Sequence, residues 1–187
     1  LEKGYLGVDF FFVLSGFIIH FTMQQTKKSV ATFALDRLLR VMLPYWPVAL
    51  ILALSYFLFP ELSARNETGG WSWFSTITLF PTSAPPVLTV AWTLQHELIF
   101  YGIYAALLFF NKLKFGLVVW TLLILALTAS DVNVSPVLQV ALAKINLEFI
   151  SGIIAADLVL RSRNVKFLPS IFLSLGLIVL FIIFGSD

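Results

Sequence analysis

Cysteine is absent from the 187 residues, which excludes disulfides and thiol catalysis and leaves the compartment open. Charge is scarce: Asp, Glu, Lys and Arg together make up 12% of the chain, against 59% hydrophobic residues. The formal net charge of +2 is too small to point to a nucleic-acid partner. No signal-peptide pattern precedes the first apolar run. No internal repeat is visible, and no stretch has the composition of a soluble domain. A chain so poor in charge and so rich in apolar side chains belongs to the integral membrane class.

Six apolar runs predict an all-α, polytopic membrane helix bundle, with residues 1–187 forming part of a single domain expected to be incomplete at both ends. The expected spans are about Leu6 to Met23, Leu43 to Phe59, Thr89 to Phe110, Phe115 to Ser130, Val137 to Leu160 and Phe167 to Phe184. Each has roughly 17–24 residues, enough to cross hydrocarbon with modest tilt. Phe33 to Val41 reads as a short amphipathic helix, and Pro44 and Pro47 as the entry to the second span. Glu61 to Leu88 is the long polar connection, with Gly69-Gly70, Pro85-Pro86 and the interfacial tryptophans Trp71 and Trp73.

Nine of the twelve basic residues sort to one side of these spans: Lys27, Lys28, Arg37, Arg40, Lys112, Lys114, Arg161, Arg163 and Lys166. The positive-inside rule makes that side cytoplasmic, in a multi-pass protein of the inner (plasma) membrane.

Within this apolar frame a few polar side chains stand out. On a helix Thr93, Glu97 and Tyr101 fall at i, i+4 and i+8, Tyr104 extends the line, and His96 flanks it. A carboxylate buried in hydrocarbon costs at least roughly 2.5 kcal/mol, so Glu97 should face protein or a water-filled cavity. The plain alternative is a polar pair that holds helices together. Asp9, near the start of the first span, shares a face with Gly16 and His20, and is either a site residue or a helix N-terminal acid favoured by the macrodipole. Glu148 is expected near the centre of the fifth span, with Lys144 at i−4, and Asp157 has Arg161 at i+4. Asp9, Glu97 and Glu148 are expected to converge on one polar chamber. Arg37 and Arg40 share a helix face that suits either phosphate groups or anionic lipid headgroups.

Four stretches carry a family resemblance. Trp92-Thr93-Leu94-x-x-Glu97-x-x-Phe100-Tyr101 resembles the signature helix of acyltransferase family 3, membrane enzymes that acylate sugars of exopolysaccharides and lipopolysaccharides, and looks closest to the exopolysaccharide branch. Gly7 to Phe17 is similar to the family's second transmembrane helix. Arg37-x-x-Arg40 ahead of Pro44-Tyr45-Trp46 is similar to the pair linked there to acyl-coenzyme A, and Leu147 to Gly152 resembles a further family stretch.

The resemblance implies acyl transfer from acyl-coenzyme A to a sugar hydroxyl of a glycan or lipid-linked acceptor, with no metal or cofactor. Glu97, Asp9 and His96 are then catalytic candidates, and Arg37, Arg40, Trp92, Thr93, Tyr101 and Glu148 substrate-binding ones. The family also carries a histidine, taken as the catalytic base, on a first helix expected to precede this chain, and neither His20 nor His96 matches it. The segment alone is therefore expected to be inactive. Two other classes remain open: a transporter or flippase using the three carboxylates as proton or substrate sites, and a non-catalytic remnant.

The topology has a direct test. With single cysteines at Ser29, Asn66 and Asn164, an impermeant thiol reagent should label position 66 from one side and the other two from the opposite side. Labelling of all three from the same side overturns the six-span topology.

Overall fold

The computed structural model describes residues 5–26, 28–59, 61, 70–130 and 132–161. Regular structure among them is helical: α1 (Tyr5–Gln25), α2 (Val30–Leu58), α3 (Trp73–Thr78), α4 (Ala91–Phe109), α5 (Leu113–Thr128), α6 (Pro136–Ala141) and α7 (Asn146–Arg161). The expected sixth span lies outside the described residues. Among the described residues three stretches are long and apolar enough to cross a membrane, Gly7–Gln25, Val30–Leu58 and Pro136–Arg161. At 16 residues α5 falls short on length, and α4 falls short on apolarity because Gln95, His96 and Glu97 occupy consecutive positions near its start. Apolar residues such as Phe10, Ile51, Phe57 and Leu122 are exposed, as lipid-facing surfaces require.

The chain divides into two units, Leu1–Lys27 with Ile145–Asp187, and Lys28–Lys144. In the first unit α1 packs on α7. The contact depends on two glycines. A methyl group on Gly16 would strike the backbone carbonyl of Phe149, and one on Gly152 would strike the backbone of Val13 and Phe17. Small residues allow this close approach, the main route to helix association in lipid. Phe12 and Phe149 pack beside the crossing with ring centroids 4.6 Å apart.

In the second unit α2 is one helix of 29 residues, beginning at an N-cap where the Ser29 side chain accepts from the Thr32 amide. Pro44 and Pro47 lie inside it and do not mark its start. Each proline removes one ladder hydrogen bond, but transmembrane helices tolerate this where neighbours compensate. The connection before α4 contains α3, capped by Ser72 and ended by Leu79 in the left-handed region at φ 57°. α4 turns into α5 through Asn111, also left-handed at φ 53°. Trp120 of α5 donates its indole N–H to Ala141 O at the end of α6 (2.7 Å).

The apolar stretch expected as one fifth span is broken. Residues 142–145 leave the helix between α6 and α7. Glu148 therefore sits in the first turn of α7, where free amides favour a carboxylate, and near the middle of the stretch Pro136–Arg161 as expected. Lys144 lies in the break, so it has no helical i, i+4 relation to Glu148.

The glycine crossing generates a prediction. Gly16→Ala and Gly152→Ala should each cost about 1–3 kcal/mol through overpacking against rigid backbone. Gly7→Ala meets open space and should be neutral or stabilising. Thermal unfolding in detergent checks this, and equal behaviour of the three variants would refute the close crossing.

Candidate functional site

Each unit carries its own polar cluster. In the second unit α4 buries a broad face: Gln95, His96, Glu97, Phe100, Tyr101 and Tyr104. The spacing of Glu97 and Tyr101, one helical turn apart, lets the phenol donate a hydrogen bond to the Glu97 carboxylate. α2 meets this face from the other side. The Phe33 ring packs edge-on against Tyr101 and Tyr104, at 6.5 Å and 5.6 Å between centroids. The Arg37 guanidinium lies over the Phe33 ring, 5.7 Å from its centroid. The charges of Arg37 and Arg40 both reach Glu97 and Tyr101. Arg37 is half-buried and Arg40 exposed. An aromatic bed, a carboxylate, a phenol and two cations thus form one neighbourhood on α2 and α4.

The remaining α4 candidates sit around it. Trp92 is partly exposed and stands edge-on to His96 with centroids 5.9 Å apart. Thr93 is half-buried, and its hydroxyl is turned back onto the Val90 carbonyl (2.9 Å). Gln95, which spacing alone did not single out, is buried and donates to Ser75 Oγ (3.3 Å), tying α4 to α3. Tyr45 on α2 is also buried, and its hydroxyl has no hydrogen-bond partner among the described residues. Its place in Pro44-Tyr45-Trp46 was legible; the orphaned hydroxyl was not.

In the first unit Asp9 of α1 meets Glu148 of α7. Both are buried, and their carboxyl groups lie close enough to interact with each other. Asp9 Oδ2 and Glu148 Oε2 are buried without a hydrogen-bond partner among the described residues. The face expected to hold Asp9, Gly16 and His20 is the buried face of α1. Asp157 pairs with Arg161 at 2.7 Å, the local neutralisation that their spacing predicts. Among the described residues no group of three or more His, Cys, Asp or Glu side chains could hold a metal ion.

Comparison with known proteins places these features. The exopolysaccharide production protein ExoZ of Rhizobium meliloti (strain 1021) is 32% identical over 167 residues, which cover 86% of this chain and 52% of that protein. The chain thus spans about half the length of this curated relative. No solved structure matches it. The acyltransferase domain family matches residues 4–187. That match takes in all the helices that carry Asp9, Arg37, Arg40, Glu97 and Glu148, and with it the chain belongs to acyltransferase family 3.

Proposed function

We propose that the protein transfers an acyl group from acyl-coenzyme A to a sugar hydroxyl of an exopolysaccharide or lipopolysaccharide, presented as glycan or lipid-linked sugar at the inner membrane. The observation that carries this reading is the cluster on α2 and α4, where Glu97, bonded by Tyr101, lies within reach of the charges of Arg37 and Arg40. The name of the relative, an exopolysaccharide production protein, supports the choice of acceptor.

The chemistry asks three things of the chain. The acceptor oxygen attacks the thioester carbonyl and loses its proton, the carbon–sulfur bond breaks, and coenzyme A leaves as a thiolate that takes up a proton. A base must hold the acceptor proton, donors must stabilise the tetrahedral oxyanion, and cations must hold the donor phosphates. In this reading Glu97 accepts hydrogen bonds from the acceptor or orients the base, with His96 beside it. Arg37 and Arg40 grip the coenzyme A phosphates, Arg37 presenting its fork from the Phe33 ring. Trp92 offers an apolar plane for the acceptor at the start of α4. Asp9 and Glu148 form a second acid pair able to hold one proton. The basic connections lie in the cytoplasm, where acyl-coenzyme A is made.

Two expected outcomes test this in the full-length protein. Glu97→Gln keeps the shape and still accepts from Tyr101, yet should lower turnover by roughly 10²–10⁴-fold, the scale of acid–base assistance, with protein level unchanged. A loss that only tracks abundance would make Glu97 a packing residue. Arg37→Ala and Arg40→Ala should raise the KM for the acyl donor far more than that for the acceptor, with partial rescue by lysine, which lacks the bidentate fork. Unchanged donor KM in both variants would leave the arginines to lipid headgroups.

A further inference from the structure

The connection between α2 and α4 is turned inside out. On α3 and the residues that end it, Ser75 and Thr76 are fully buried, whereas Trp73, Phe74, Ile77 and Phe80 are 38%, 56%, 46% and 48% exposed. A loop bathed in water shows the reverse pattern. We infer that α3 is seated in the membrane, its Phe74–Ile77–Phe80 edge packed against the acyl chains of the bilayer's interfacial layer, and that the connection is not a solvated loop.

Three independent observations carry the assignment. The first is polar satisfaction. Ser75 Oγ donates to Phe80 O (3.0 Å) and accepts from Gln95 Nε2 (3.3 Å), while Thr76 Oγ1 accepts from the Val87 amide (2.9 Å). Even the exposed Thr78 hydroxyl is turned back: it donates to Phe74 O (2.6 Å) and accepts from the Phe80 amide (3.1 Å). The oxygens of these hydroxyls are all engaged within the protein, as a segment lying in lipid requires.

The second is continuity. The Trp46 indole of α2 donates to Ile77 O (2.9 Å), and Phe57 of α2 meets the Trp73 ring at 6.2 Å. α2 is itself long and apolar enough to cross a membrane, and its Ile51, Leu54 and Phe57 are exposed. The edge of α3 thus extends the exposed apolar surface of a helix that can cross a membrane. The third is the paired tryptophans Trp71 and Trp73, 4.9 Å apart, residues that favour the boundary between headgroups and hydrocarbon. This inference does not depend on acyl transfer.

The absence of cysteine from this chain makes the test clean. Single nitroxide labels at Phe74→Cys, Ile77→Cys and Phe80→Cys are placed in the membrane-embedded protein, in a background free of other cysteines. Leu54→Cys on α2 and Lys112→Cys in the α4–α5 turn serve as lipid and water references. Continuous-wave spectra with oxygen and with a nickel chelate report what each label meets. The three α3 labels should match Leu54, with frequent oxygen collisions and nickel-chelate collisions several-fold below those at Lys112. Nickel access equal to that at Lys112 would make the edge water-facing and overturn the inference. Low access to both relaxants would mean that protein covers it, and would overturn the inference equally.

Discussion

A carboxyl group among apolar helices must be met by a proton, a donor or a cation, because hydrocarbon offers none. The described part of this chain answers that demand differently at four of its acids. Glu97 is met by the Tyr101 phenol and by the charges of two arginines. Asp9 and Glu148 are met by each other. Asp157, half-buried near the end of α7, is met by Arg161 one turn on. Only the last of these is purely local. The others fix how helices must pair, α2 with α4 in one unit and α1 with α7 in the other.

Packing serves those pairings. In the first unit the glycines at 16 and 152 bring two backbones into contact, so that side chains as short as Asp9 and Glu148 can touch. In the second unit the work is done by aromatic rings. Phe33 is the shared surface, with Tyr101 and Tyr104 on one side and the Arg37 guanidinium over its face. The ring holds the cation near α4 without neutralising it, and a charge so held remains able to bind an anion.

Much of this was legible in the sequence. The all-helical membrane class follows from composition, and α1, α4 and α5 lie close to their apolar runs. The Glu97–Tyr101 bond follows from helical spacing, as does the Asp157–Arg161 pair. What failed did so for physical reasons. Pro44 and Pro47 read as a boundary in water but are tolerated within an apolar helix. α3 is too short for periodicity to reveal. The break at residues 142–145 contains neither glycine nor proline, so no local signal announces it. The pairing of Asp9 with Glu148 joins residues far apart in sequence, and only the fold could show it.

The prolines of α2 have a mechanical consequence. A helix resists bending because each turn is stitched to the next, and at Pro44 and Pro47 two stitches are missing within one turn of each other. The stiffness of the 29-residue rod is therefore lowest in its middle. On one side of that joint lies the end bearing Arg37 and Arg40, and on the other the end that holds α3 through Phe57 and Trp73. Bending there is resisted by fewer hydrogen bonds than anywhere else along α2, so any strain on the helix gathers at that joint and not at its two ends.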